Sequence, residues 1–363
     1  MSTAPHEVVD LASGQIVEPL PESAREALAK AAAADRVVAY AAPYGQPELR
    51  AAVADHYAER TGTTVDPELI TVTAGARHGL FAAFDAVARG GEVLVPQPHW
   101  SHYPSVIRRA GAEPVAVPGD RDHGLLVGPA ELERAYTDRT RAVLVNSPVN
   151  PSGAYYDRAR MRSLRAWAAE RDVRLIVDDI YWAYADFVDR EVRASAHEIV
   201  VGGASKVYAL AGLRVGWVWA APQFCAAVRD CVEYTTGPVS TLSQAAAAAV
   251  LRERDALGVR TAALARQRAT AVEAMTGIPL LRPVAPAGGI YLCLDATEAL
   301  ARRAGGARDD QELCAVLAAG AGVRLRAGST FGMPGHLRLC VAEQPEALFE
   351  SARRLTGFLA DLT

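Results

Sequence analysis

Short apolar runs alternate with amphipathic stretches along most of this chain. Leu69-Ile70-Thr71-Val72-Thr73 reads as a strand, and after Gly75 the apolar positions Leu80, Phe81, Phe84 and Val87 recur at helical spacing. Residues 92–95, 142–145, 174–177 and 199–201 are further short runs rich in valine, leucine and isoleucine. Their near-continuous apolar character suits strands covered on both faces, as in a parallel sheet with crossover helices. One such helix is predicted over residues 161–171. From about Ala245 the pattern changes to one long predicted helix, 246–275. An α+β section follows, with strands at 289–294 and 337–341 and a final helix at 344–359. The fold class is therefore α/β, a large domain with a mainly parallel sheet plus a smaller α+β domain. Residues 1–39 form an arm and part of the small domain, 40–250 the large domain and 251–363 the rest of the small one.

Composition narrows the classes of function. A net charge of −4 and a pI near 6.1 give no electrostatic case for nucleic acid or an anionic membrane surface. No run approaches eighteen apolar residues, and residues 1–19 lack a basic-then-apolar signal pattern. Five cysteines, odd in number and without a C-x-x-C pair, point to a reduced, cytoplasmic compartment. His99 and His102 have H-x-x-H spacing but lack a third ligand in convincing context, so no metal is expected.

The most specific chemistry lies in Gly203-Ala204-Ser205-Lys206-Val207-Tyr208-Ala209-Leu210-Ala211-Gly212-Leu213-Arg214. Small residues before Lys206 leave room for a bulky group on its nitrogen. Arg214, one short loop away, supplies a fixed cation that suits a phosphate. An amine that attacks a carbonyl must be neutral, and a nearby cation helps depress its pKa. Pyridoxal 5′-phosphate (PLP) carries an aldehyde and a phosphate at that separation.

In open α/β sheets ligands gather beyond the C-terminal strand ends, and four such ends carry residues of interest. Gly75, Ala76 and Arg77 open a helix whose free amides form a phosphate seat, although Gly-Ala turns also serve tight packing. Trp100 stands after the next strand, either over a cofactor ring or at the edge of the core. Asn150, in a proline-rich turn, is either turn punctuation or a partner of the pyridine 3′-oxygen, the atom that Tyr181 is spaced to reach. Asp178, at a strand end, is either a structural cap or the anionic partner of a pyridinium nitrogen.

These blocks, in this order, resemble the class I/II aminotransferases of the aspartate-aminotransferase-like PLP fold type I, over about residues 10–360. The resemblance adds three residues. Tyr40, opening the block Tyr40 to Arg50, matches a tyrosine that reaches the phosphate of the neighbouring subunit's cofactor. Gly14 matches a glycine that approaches substrate, and Arg338 the arginine that grips the substrate carboxylate. The implied enzyme is a homodimer with shared sites that transaminates an α-amino acid and a 2-oxo acid. Lys206 holds the cofactor as an internal aldimine and shuttles the α-proton. The main alternative on the same apparatus is elimination, replacement or cyclisation at the β or γ carbon. A regulator without turnover would carry a basic helix-turn-helix stretch, which this sequence lacks. One departure stands out. Gly203 occupies a place where many relatives have a phosphate-binding serine, so the phosphate leans more on Ser205, Arg214, Tyr40 and the amides of Ala76 and Arg77. His99, His102, Tyr44 and Tyr184 are candidates for the side-chain pocket.

Overall fold

The fold is seen in a computed structural model that describes residues 8–16, 18–34, 39–120, 124–185 and 191–362. The first seven residues of the expected arm lie outside the described residues. The chain runs from β1 (Val9–Asp10) through α1 (Glu22–Ala33) and α2 (Pro47–Thr61) into β2 (Ile70–Thr73). Helix α3 (Ala76–Ala88) leads to β3 (Glu92–Gln97), and α4 (Tyr103–Arg109) to β4 (Glu113–Pro118). Helix α5 (Pro129–Ala135) leads to β5 (Thr140–Asn146), α6 (Arg158–Glu170) to β6 (Arg174–Asp178), and β7 (Glu198–Gly203) and β8 (Gly216–Trp219) follow. After α7 (Pro222–Thr235), α8 (Thr241–Leu251) and α9 (Arg254–Met275) come β9 (Arg282–Val284) and β10 (Tyr291–Asp295). Helices α10 (Thr297–Ala301) and α11 (Asp310–Gly320), strands β11 (Val323–Arg324), β12 (Arg326–Ala327) and β13 (His336–Cys340), and α12 (Pro345–Ala360) complete the chain.

Strands β2 to β8 form one sheet in the order β2-β8-β7-β6-β5-β3-β4. All its pairings are parallel except those of β8, which lies antiparallel between β2 and β7. Alternation along β5 divides the core in two: Ala142 and Leu144 join the cluster under α3, while Val143 and Val145 join the one under α6. Both faces are covered, so the strand runs are apolar throughout, each buried Val or Leu contributing roughly 1.5–3 kcal/mol. The edge strand β4, with Pro114 and Pro118, has half of its residues exposed, as suits a strand with one unpaired side.

A second sheet, β12-β13-β10-β9, is antiparallel, and β1 pairs with β11 in parallel. The N-terminal stretch is fastened to this part of the chain: the amide of Leu11 donates to the Arg324 carbonyl and that of Cys340 to Leu11. The single helix expected over 246–275 is two helices. The chain leaves helical geometry at Glu253 (φ −86°, ψ 82°), where α8 ends and α9 begins. Among the described residues, no helix is long and apolar enough to cross a membrane.

Candidate active site

The C-terminal ends of the parallel strands open onto a cavity of about 520 Å³. Nine residues expected from sequence line it: Gly14, Ala76, Arg77, Trp100, Asn150, Asp178, Tyr181, Lys206 and Arg338. Gly75, Ser205 and Arg214 are not among its lining residues. Tyr40 is off the cavity and 94% exposed, free of the site in its own chain.

Lys206 sits in the connection between β7 and β8, which closes with Gly203 opposite Gly216 and with the Ala204 amide donating to Val215. Its amine donates to the Gly14 carbonyl. Burial pulls its pKa down to about 8, helped by the Arg338 and Arg214 guanidiniums and opposed by Cys340. Arg214, itself in the left-handed region at φ 56°, donates to the Ala211 carbonyl at 2.9 Å and to Ser205 Oγ at 3.4 Å. Gly75 has φ 82°, a left-handed conformation that favours glycine, and a Cβ there would stand 2.5 Å from Arg214 Nη2 and push that guanidinium aside. Helix α3 starts at once, and its first two amides, on Ala76 and Arg77, lack backbone acceptors.

Asp178 ends β6 and is buried. Burial pushes its pKa up to about 7, against two bonds that favour the anion: the Tyr103 hydroxyl at 2.5 Å and the Ile180 amide at 3.4 Å. Asn146 holds the strand end by donating to the Asp178 carbonyl at 3.0 Å. The next residue, Asp179, is held by both terminal nitrogens of Arg60, a buried ion pair. Among the described residues no cation pairs with Asp178 itself, so it is the free carboxylate of the two.

Across the cavity, Arg338 donates to Asn150 Oδ1 at 3.2 Å and to the Ala12 carbonyl at 2.7 Å, while its buried Nε has no partner. Its guanidinium lies 4.1 Å from the Tyr291 ring centre and 4.6 Å from that of Phe331. The hydroxyls of Tyr291 and Tyr181 are 3.3 Å apart. Trp100 stacks on His102 at 4.8 Å, meets Tyr103 edge-on, and has Arg77 4.9 Å from its ring centre.

Sequence reading gave no role to Tyr103, Tyr291, Phe331, Asp10, Arg324 or Arg326, all of which line the cavity. Tyr103 had a signal: it stands three residues after Trp100, at the first turn of α4. Of the four pocket candidates only His102 reaches this wall; His99, Tyr44 and Tyr184 do not. Among the described residues, no three of His, Cys, Asp and Glu gather to hold a metal.

PLP suits this donor set. A buried amine that loses its proton easily, an unpaired carboxylate across the same cavity, and a glycine cradle with free amides beside a guanidinium match its aldehyde, ring nitrogen and phosphate in turn. The family model for "Aminotransferase class I and II" matches residues 6–355. The chain belongs to the class I and II aminotransferases. It is 33% identical to an aspartate aminotransferase of Streptomyces avermitilis, covering 99% of this chain and 91% of that one. It is also 33% identical to a probable aspartate/prephenate aminotransferase of Thermus aquaticus, over 97% of this chain and 92% of the relative. Among solved structures, the Thermus thermophilus aspartate aminotransferase with maleate superposes with a TM-score of 0.89 at 31% identity, over 97% of this chain and 92% of that chain. The aspartate aminotransferase of Rhizobium meliloti gives 0.91 at 29% identity, over 98% and 92%. This aminotransferase is thus a PLP-dependent enzyme of fold type I, as the resemblance implied.

Proposed function

We propose that this aminotransferase takes a dicarboxylic amino acid as donor and a 2-oxo acid as acceptor, working as a cytoplasmic homodimer. One juxtaposition carries the substrate reading. Arg326 on β12 stands directly opposite Arg338 on β13, and both line the cavity. Like charges opposite each other across antiparallel strands repel, and among the described residues Arg326 has no acidic partner. Anionic groups seated at the two guanidiniums relieve that repulsion. Arg338 grips the α-carboxylate in bidentate fashion and Arg326, with Arg77, takes the second one. The relatives named for aspartate, and the Thermus thermophilus structure holding maleate, itself a dicarboxylate, support this reading.

When bound, PLP supplies a carbon to which amines condense and a conjugated ring that accepts the electron pair left at the substrate's Cα. The protein's residues do the rest. Lys206 would hold the cofactor covalently, and its amine is the base that would carry the proton off the substrate's Cα. Asp178 keeps a negative charge at the ring nitrogen, Trp100 covers a ring face, and Asn150 with Tyr181 meets the 3′-oxygen. Gly75, the amides of Ala76 and Arg77, Ser205 and Arg214 hold the phosphate, joined by Tyr40 from the partner subunit. Gly14 leaves space for the substrate. The exposure of Tyr40 supports the shared-site reading, and the five free cysteines support the compartment. We read the seven-stranded sheet as the large domain (40–250), and residues 251–363 with the N-terminal stretch as the small one.

An amino-donor screen that follows 2-oxo acid release tests the substrate reading. Dicarboxylic donors should exceed neutral ones. Arg326→Leu should cut kcat/KM for L-aspartate about ten- to a hundredfold, the worth of a hydrogen bond to a charged group, and leave L-alanine unchanged. Equal losses on both donors would refute the assignment of Arg326.

A further inference from the structure

We infer that Tyr291 is a positioning residue that couples the carboxylate grip of Arg338 to the 3′-oxygen side of the cofactor site. The inference rests on the roles proposed above for Arg338 and Tyr181, and it concerns a residue outside that set.

Three contacts meet on this one buried side chain. Its ring faces the Arg338 guanidinium at 4.1 Å, an aromatic face against a cation removed from water. Its hydroxyl is 3.3 Å from that of Tyr181, with the two rings edge to face. The same hydroxyl lies against Gly14, where a Cβ would stand 2.1 Å from it, and the Gly14 carbonyl is the acceptor of the Lys206 amine. Tyr291 therefore touches the residue that binds carboxylate, the one that meets the 3′-oxygen, and the backbone under the reactive lysine.

The hydroxyl pair has a direction once the cofactor is bound. If Tyr181 spends its only proton on the 3′-oxygen, its own oxygen is left as an acceptor, and Tyr291 must donate to it. Chained donors polarise one another, by about 10–30% per bond. Tyr291 thereby strengthens the bond that stabilises negative charge on the 3′-oxygen. The ring has a separate task, holding the Arg338 plane in place on one side while Phe331 closes the other.

Two variants separate hydroxyl from ring. The first readout is the pH titration of the visible absorbance of the resting holoenzyme, where the lysine nitrogen joined to the cofactor gains a proton more easily when the 3′-oxygen is less well stabilised. Tyr291→Phe should raise that midpoint by roughly 0.2–0.5 pH unit and leave KM for L-aspartate within twofold of wild type. Tyr291→Leu should show the same midpoint shift and also raise KM roughly three- to tenfold, through loss of the ring face under Arg338. An unshifted midpoint in Tyr291→Phe, or equal KM values for the two variants, would overturn the proposal. Arg338→Lys serves as the control: if it leaves KM for L-aspartate unchanged, the reading of Arg338 has failed instead. If wild type does not turn over L-aspartate, the substrate reading has failed, and the titration still decides the role of the Tyr291 hydroxyl.

Discussion

The Tyr103 hydroxyl donates to Asp178 Oδ2 at 2.5 Å, with both side chains buried. Burial, with a smaller push from the neighbouring Asp179 charge, lifts the Asp178 carboxyl, and this bond is the strongest influence pulling it back. The site thus holds a carboxylate poised near neutrality until a cation arrives, as a pyridinium nitrogen would supply.

Removing that donor should raise the Asp178 pKa of the apoenzyme above about 7 by roughly one to two pH units, given the worth of a hydrogen bond to a charged group. Tyr103→Phe is therefore expected to bind PLP about tenfold more weakly at pH 7.5. The gap should narrow towards pH 9, where the carboxyl ionises regardless. A gap independent of pH would show that Tyr103 acts by packing alone.

Asp178→Asn gives a signed pH effect on stability. The folded pKa, about 7, lies above the unfolded value near 4, so the folded apoenzyme holds the extra proton in this window. Its stability falls as pH rises from about 4 to 7. The amide cannot ionise, so the variant apoenzyme should be the more stable of the two at pH 8, by on the order of 1–4 kcal/mol, with a smaller difference at pH 5. Urea melts at both values check this. In the holoenzyme the same variant should slow Cα proton exchange by orders of magnitude. A stability difference that does not vary with pH, or near-normal exchange, would make Asp178 a purely structural cap.

Gly203 leaves room for a Cβ. A Cβ there would lie 3.4 Å from Ala76 Cβ and Val215 O and 3.5 Å from the Ala76 amide, ordinary contact distances. Gly203→Ser should therefore fold normally and tighten PLP binding about three- to tenfold by adding one donor beside the start of α3. Equilibrium dialysis measures it. Unchanged affinity would place the phosphate away from this strand end.

Tyr40→Phe should weaken PLP affinity about ten- to a hundredfold if its hydroxyl serves the partner's phosphate. Mixed dimers with Lys206→Ala sharpen the test. The site that keeps Lys206 then receives a wild-type Tyr40 from across the interface, so its affinity should return to the wild-type level. Failure to recover, or activity in a monomer, would rule out the shared site.

Much of this was legible in the sequence because the parallel sheet makes each strand end a fixed address. An apolar run followed by Ala76, Trp100, Asn150 or Asp178 places that residue at the cavity. Strand β8 escaped because it is four residues long, begins at Gly216 and runs on directly from the lysine-bearing block. The break at Glu253 escaped because Arg252 and Glu253 are good helix formers and only the Glu253 backbone angles depart from the helix. Tyr291 and Arg326 escaped for a different reason. Both lie on short strands whose register against β13 decides which side chains share a face, and nothing local specifies that register.

The account stands most directly on Lys206, one of only two lysines in the chain, the other being Lys30 in α1. Holoenzyme and Lys206→Ala protein should be treated with borohydride in the presence of PLP, and the labelled peptide identified by mass spectrometry. The predicted result is a reduced cofactor adduct on Lys206 in wild type and no adduct, visible cofactor–lysine band or turnover in the variant. A trappable band in the variant, or an adduct on Lys30 in wild type, would contradict the assignment of the site.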